Sequence, residues 1–157
     1  MTAPGADEIQ QVLSLLPAGQ FLMTSAYDGK RAGIRLRSVQ PCADEPVLIC
    51  VSARKGHAID PLIRDSRCFA VCVLADNDRL VERTFPVAGD VAAPDEGEAH
   101  DPFDALPITT ITTGSPVLSR ALAAIDCEVV RHVDLEADHE LFVGQVVSAR
   151  ILSSGSA

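Results

Sequence analysis

The sequence predicts a mostly-β (α+β) fold, a small barrel of six to seven strands with a few short helices. Most apolar residues fall in short runs, either alternating with polar residues or too brief for a helix, and turn-forming residues separate these runs. The chain lacks the glycine-rich nucleotide-binding motifs and the nucleophile elbow of common α/β folds. A length of 157 residues with 47% hydrophobic residues suits a single domain, 1–157.

The first third of the chain predicts a helix followed by a hairpin. Residues 1–16 place apolar side chains at helical spacing after acidic residues that favour a helix N-terminus, and Pro17 ends the pattern. Residues 20–27 and 31–39 are typical of paired strands, and Asp28-Gly29 between them is a hairpin turn signal.

The middle of the chain alternates strands and short helices. The apolar runs 47–52 and 68–74 predict strands that are covered on both faces. A short helix over 60–65 lies between them, since Asp-Pro suits a helix start. A second helix is expected over 77–86, and the acidic, Gly- and Pro-rich stretch 87–101 reads as an exposed loop or a lid.

The last third predicts a closing hairpin. Residues 108–113 are β-prone, and a short helix is expected over 116–124. The segments 125–133 and 140–151 form the hairpin across an acidic turn, and a frayed tail occupies 153–157.

Charge and composition exclude several function classes. The formal net charge is −9, which argues against nucleic-acid binding and against electrostatic attachment to anionic membranes. Aromatic residues make up only 4% of the chain, too few for a platform that stacks single-stranded bases. No run approaches the ~18 consecutive apolar residues of a membrane span.

The cysteines predict a reducing compartment. There are five, an odd number, and no pair has the CxxC spacing of a zinc or redox site, so we expect mostly buried, reduced thiols and no metal site. The first ten residues contain acids and no Lys or Arg, which does not fit a secretory signal. Together these features predict a cytoplasmic protein.

Five local patterns follow one another in register across about residues 15–151. They are FLMTSAYDGKRAG at 21–33, QPCADEPVL at 40–48, LIRDSRCFAVCVL at 62–74, GSPVLSRALAAIDCE at 114–128 and DHELFVGQVV at 138–147. Each pattern is weak alone, but in this order the five resemble the flavin reductase-like family, whose fold is the FMN-binding split barrel.

The resemblance implies a split barrel with Greek-key-like topology and a homodimer with flavin at the subunit interface. It implies FMN, with FAD as the alternative, and NADH or NADPH as the co-substrate that gives a hydride to the flavin N5. Electrons then pass to an acceptor such as a monooxygenase. Two alternatives are a flavin carrier or sensor without NAD(P)H turnover, and a structural dimer that has lost flavin.

The resemblance also places the flavin along the second barrel strand and the loop after it. The family usually carries Thr and Ser there, whereas this chain carries two arginines, which can hold a phosphate bidentately. A solvated strand face is the alternative for both. Cys42 near this loop either contacts the isoalloxazine edge or is simply buried. The candidate residues of this segment are Arg35, Leu36, Arg37, Ser38 and Cys42.

The loop after the 47–52 strand is the second candidate segment. It precedes a helix, and a helix N-terminus with its backbone N–H groups suits an anion. The candidates are Ser52, Arg54, Lys55, Gly56 and His57. A solvated loop is the alternative for the two cations, and a helix-capping role is the alternative for the histidine.

One residue is the catalytic candidate. His139 matches the family's histidine at the start of the last long strand, near the flavin ring and the nicotinamide pocket, and the alternative is a hydrogen-bonded residue at the strand entrance. Gly144 is expected to serve close strand packing. Phe85 and Phe103 either cover the flavin or fill the core.

Overall fold

A computed structural model describes residues 5–85 and 101–153 of the chain, and its elements confirm a mostly-β fold. Three short helices occur in these ranges: α1 (Ala6–Leu13), α2 (Ile59–Ser66) and α3 (Arg79–Thr84). The strands of the same ranges are β1 (Phe21–Tyr27), β2 (Lys30–Leu36), β3 (Gln40–Asp44), β4 (Val47–Arg54), β5 (Cys68–Val73), β6 (Ile108–Thr109), β7 (Val117–Leu118), β8 (Ala123–Asp134) and β9 (His139–Ile151).

Seven strands form one antiparallel sheet in the order β2-β1-β5-β8-β9-β4-β3, and β6 and β7 form a small second sheet. Both expected hairpins are confirmed, one of β1 with β2 and one of β8 with β9. In the first hairpin Asp28 and Gly29 both have positive φ, 51° and 77°, as a type I′ turn requires.

The sheet curls around one apolar core and supports a second on its outer side. The first core takes side chains from six strands of the main sheet and from α2, including Met23, Ile34, Val51 and Phe142. β2 and β4, which lie near opposite edges of the main sheet, contact each other across this core.

The second core lies on the opposite side of β1 and β5, beneath α3 and the segment 101–122. Phe85 and Phe103 pack against each other here, with ring centroids 5.0 Å apart, and both are about 2% exposed. The sequence left open whether these two rings cover the flavin or fill the core, and in the described chain both fill the core.

Two expectations for the sheet need correction. The 47–52 strand is not covered on both faces: in β4 Ile49 and Val51 are buried, whereas Cys50 is half-buried and Ser52 exposed, because the described chain covers only one face. The strand β3 was not predicted, since the expected strands end at residue 39 and resume at 47, and a register shift between Pro41 and Ala43 interrupts its pairing with β4. The expectation for 68–74 is confirmed by the fully buried centre of β5.

The helix expected over 116–124 is wrong. Val117 and Leu118 form β7, a turn follows, and β8 begins at Ala123. The apolar spacing that suggested a helix instead places Val117, Leu118 and Ala121 in the second core. The predicted loop or lid, apart from Asp101, and the predicted tail, apart from Ser153, lie outside the described residues.

Gly144 confirms the packing role expected from the sequence. A Cβ atom at this position would stand 2.6 Å from the Phe69 ring and 2.7 Å from the Cys127 Cβ, both in the first core. A side chain at 144 would push β9 away from β5 and β8.

The N-terminal helix α1 is present, but none of its residues is buried against the rest of the described chain. Its apolar side chains, and those of the turn after it, are about half or more exposed: Ile9 49%, Val12 58%, Leu13 50%, Leu15 81% and Leu16 60%. In the ranges 5–85 and 101–153, no helix is long and apolar enough to cross a membrane.

Candidate functional site

The candidate site lies at the end of the sheet where β4 finishes and β9 begins. Arg54 of β4 is directly opposite His139 of β9, so both side chains lie on the same face. Ser52 lies on this face two residues earlier. Because β3 and β4 are antiparallel, Ser38, just before β3, lies at the same end of the pair.

From this end the face continues as an apolar stripe. Ser52 is opposite Leu141, and Cys50 is opposite Val143. The side chains of Cys50, Leu141 and Val143 are half-buried. The structure therefore places an apolar surface directly beside the basic residue Arg54 and the imidazole of His139.

Asp138 organises the polar end of this face. His139 Nδ1 donates to Asp138 Oδ1 at 2.9 Å, and Arg54 forms an ion pair with Asp138 Oδ2 at 3.3 Å. The hydrogen bond from His139 is the main cause that lowers the pKa of the Asp138 carboxyl, and Arg54 adds to it. Because Nδ1 is engaged by Asp138, the other ring nitrogen of His139, Nε2, is the one left for a ligand.

Lys55 is tied to the same turn. Its backbone N–H donates to the Asp138 carbonyl at 3.0 Å, and its ammonium pairs with Asp134. Two acids thus balance the cations of this loop, so the local field is less positive than the sequence of the loop alone indicates.

His57 caps α2. Its Nδ1 accepts a hydrogen bond from the Ile59 N–H at 3.0 Å, and burial lowers the pKa of the imidazole, which favours the neutral form that can accept. The backbone N–H groups of Gly56 and Ala58 have no hydrogen-bond partner within the described ranges. Free N–H groups in a turn before a helix suit an anionic oxygen.

The β2 candidates do not all join this site. Arg35 Nε donates to the Phe85 carbonyl at 3.0 Å, so this arginine holds the end of α3. Leu36 is 3% exposed and belongs to the first core. Arg37 is exposed and forms no ion pair with any residue of 5–85 or 101–153, which leaves its guanidinium available to a ligand.

Cys42 is exposed, so the interpretation that it is simply buried is wrong. It lies in the bulge of β3, near enough to Cys50 to contribute, after burial, to the raised pKa of that thiol. All five cysteines are free, but only Cys72 and Cys127 are buried. Burial raises the pKa of Cys72 to about 11 and that of Cys127 to about 12, so both remain protonated at neutral pH.

A cleft of about 720 Å³ lies on the other side of the 55–57 loop, between the β1–β2 turn and α2. His57 lines it together with Lys30, Arg31 and Asp65, none of which the sequence singled out. Arg31 is held by Asp101 at 2.7 Å. No sequence signal could have found this cleft, because distant segments form its walls. Its volume falls in the range of small-molecule sites.

Comparisons with known proteins give one consistent result. The family model described as the flavin reductase like domain matches residues 13–157. The NADPH-flavin oxidoreductase of Streptomyces viridifaciens is 32% identical over 145 residues, which span 91% of this chain and 71% of that protein. The reductase component of a Rhodococcus opacus 4-nitrophenol monooxygenase is 30% identical, with coverage of 91% and 71%. Among solved structures, the NADH:FAD oxidoreductase of Streptomyces globisporus C-1027 superimposes with a TM-score of 0.79 at 22% identity, covering 96% of this chain and 86% of that one.

Proposed function

The chain belongs to the flavin reductase-like family, and we propose that it transfers a hydride from NADH or NADPH to FMN or FAD. The observation that carries this proposal is the family match over residues 13–157, supported by 32% identity to an NADPH-flavin oxidoreductase. A relative from Pantoea ananatis is an NADH-dependent FMN reductase, which supports FMN as the flavin. The activity is that of an oxidoreductase acting on flavins.

The described residues fit a flavin mononucleotide, which has an apolar ring system and an anionic tail. We assign the tail to the 54–57 loop, where the N–H groups of Gly56 and Ala58 are free and Arg54 and Lys55 are near. Arg37 supplies a further cation from the end of β2.

The apolar stripe of Leu141 and Val143 beside Ser52 then offers a surface for the ring. Bound flavin supplies the hydride-accepting chemistry, so the protein has to position the two partners rather than provide an acid–base pair. This division of roles fits the described residues of the face, among which no nucleophile is hydrogen-bonded to a base.

His139 is the catalytic candidate of this proposal. Its Nδ1 is fixed by Asp138, so its Nε2 is oriented by a hydrogen bond that does not involve the ligand. We assign Nε2 to a polar contact with the nicotinamide nucleotide, where it orients the ring toward the flavin. The pairing with Arg54 across the β-ladder keeps the imidazole next to the loop assigned to the phosphate.

We propose that the chain acts as one domain and as a homodimer. The apolar side chains of α1 are exposed in the single chain, and exposed apolar surface of this kind marks an interaction site. Val130, Val133 and Leu135 on the far half of the β8–β9 hairpin are also about 40% exposed. A second copy would cover both surfaces.

We further propose that the electrons pass to a monooxygenase partner in the cytoplasm. The Rhodococcus opacus relative is the reductase component of a two-component monooxygenase, which supports this acceptor. The five free cysteines suit a reducing compartment.

The test is anaerobic reduction of the reconstituted protein. The chain is loaded with FMN, freed of excess flavin and titrated with NADH and with NADPH while the flavin absorption band is followed. We expect the band to bleach with at least one nucleotide and to return with air. A protein that binds flavin but does not bleach is a carrier or sensor, and a protein that binds no FMN or FAD refutes the proposal entirely.

A further inference from the structure

Three side chains that are far apart in the sequence converge beneath the start of β9. Asp60 comes from α2, His132 from β8 and Glu140 from β9. Each offers one ligand atom, and these atoms all lie within 4.8 Å of one another. The group lies on the side of β9 opposite His139, because neighbouring residues of a strand point to opposite faces.

Glu140 has a buried carboxylate oxygen that a ligand could bind. Its side chain is only 2% exposed, and its Oε1 has no hydrogen-bond partner among the described residues. Asp60 Oδ1 is also buried and without a hydrogen bond in these ranges, but it is ion-paired with Arg64, so Glu140 Oε1 is the oxygen of the two that lacks both a hydrogen bond and an ion pair among the described residues. A buried carboxylate oxygen without a partner is costly, and such groups are normally bonded or bind a cation.

The surrounding charges do not fully compensate the two acids. Arg64 Nε lies 3.1 Å from Asp60 Oδ1, and its Nη2 lies 3.5 Å from Glu140 Oε2. His132 Nε2 lies 2.9 Å from Glu140 Oε2. The two carboxyl groups of the cluster therefore face one guanidinium and one imidazole.

We propose that Asp60, His132 and Glu140 bind one divalent transition-metal ion of the zinc class. One imidazole nitrogen and two carboxylate oxygens are ligands that zinc accepts, and the two carboxylates neutralise its charge. Arg64 is the competing cation, and its side chain is 56% exposed, so it can turn into solvent when the ion enters. The bound ion would join α2 to the β8–β9 hairpin directly behind the candidate flavin site.

The test uses the full chain after chelator treatment and dialysis. Zn²⁺ binding is measured by calorimetry, and Co²⁺ is added to a second sample to follow its ligand-field absorption. We expect one ion per chain. Glu140→Gln and His132→Ala should each weaken Zn²⁺ binding at least about 100-fold. Losing a residue that only hydrogen-bonds to a metal ligand already weakens binding by up to about 100-fold, and losing a ligand itself should cost more.

Arg64→Gln separates a metal site from a network of ion pairs. Removing the competing cation should leave Zn²⁺ binding intact or strengthen it, although it deletes two ion pairs. Asp104→Asn is the control, since this exposed carboxylate pairs with Arg31 and with no member of the cluster, so its loss should not change the affinity. Circular dichroism of each variant checks that the fold is retained.

Two results would overturn the proposal. One is the absence of stoichiometric Zn²⁺ and Co²⁺ binding in both the wild-type chain and the Arg64→Gln variant. The other is binding that survives unchanged in His132→Ala, whose side chain is 32% exposed and stacks on Phe142 with ring centroids 4.9 Å apart. Neither result bears on flavin reduction, which is measured separately.

Discussion

Replacing Arg37 with alanine should weaken flavin binding and leave the fold intact, whereas replacing Arg35 should do the reverse. The two arginines are separated by one residue in the segment that the family resemblance assigns to the flavin. Arg37 is exposed and has no ion-pair partner in residues 5–85 and 101–153. Arg35 donates to the Phe85 carbonyl at 3.0 Å and so secures the end of α3.

The expected magnitudes follow from these contacts. A hydrogen bond between charged groups contributes about 1.5–3 kcal/mol. Because about 1.4 kcal/mol corresponds to a factor of ten, loss of the bond from Arg37 to the phosphate should raise the Kd for FMN about 10- to 140-fold. Loss of the Arg35 bond should cost the fold about 1–2 kcal/mol. For a chain of this size that lowers the Tm by about 2–8 °C.

Two assays separate the effects. Quenching of FMN fluorescence on titration with apoprotein gives the Kd, and thermal unfolding of the apoprotein gives the Tm without a contribution from bound flavin. Lys55→Ala is a second phosphate variant, with an expected loss in the same range as Arg37→Ala. If Arg37→Ala and Lys55→Ala both bind FMN as tightly as the wild type, the phosphate assignment is refuted.

Three further predictions concern packing, assembly and pH. Gly144→Ala should cost about 1–3 kcal/mol in urea unfolding, because the new Cβ meets Cys127 at 2.7 Å; unchanged stability would contradict the packing argument. Val12→Asp should shift the chain from dimer to monomer in light scattering, since this α1 side chain is 58% exposed; a wild-type chain that is already monomeric would remove the dimer proposal. The stability of the wild type should fall as the pH drops below about 6.5, because the folded pKa of His57 is lowered and the unfolded chain takes up the proton first. His57→Asn keeps an acceptor for the Ile59 N–H but does not titrate. The unfolding free energy of this variant should therefore lose the pH dependence that His57 causes. An identical pH profile for the variant and the wild type would refute the assignment of the pH dependence to His57.

The sequence predicted the parts of the fold that are governed by local chemistry. Asp28-Gly29 identified the first hairpin because only a few residues accept positive φ at both turn positions. The strand β5 was predicted from its continuous apolar run, and the structure shows that the centre of this run is buried on both faces of the sheet. The helix expected over 116–124 failed because burial in the second core, rather than periodicity, decides the conformation of Val117 and Leu118.

The candidate site was predictable only where its residues are neighbours in the chain. The 54–57 loop was named from its place between a strand and a helix, and His139 from the family resemblance. The β4–β9 register brings Arg54 and His139 together. Nothing local distinguishes Arg37 from Arg35, since the difference lies in a contact with Phe85 about fifty residues away. The cluster of Asp60, His132 and Glu140 has no sequence signature, because its spacing of 72 and 8 residues is created by the fold.

The error over β4 is informative about assembly. Its run of apolar residues was interpreted as a strand covered on both faces, yet in the single chain the outer face is open, with Cys50 half-buried and Ser52 exposed. An apolar strand with one open face is the pattern expected if another molecule covers that face. Flavin and a second chain both fit, since the outer face carries the apolar stripe and continues toward the exposed part of the β8–β9 hairpin. If so, monomeric variants such as Val12→Asp should also lose flavin affinity, and a monomer that binds FMN with the wild-type Kd would show that each chain holds its flavin alone.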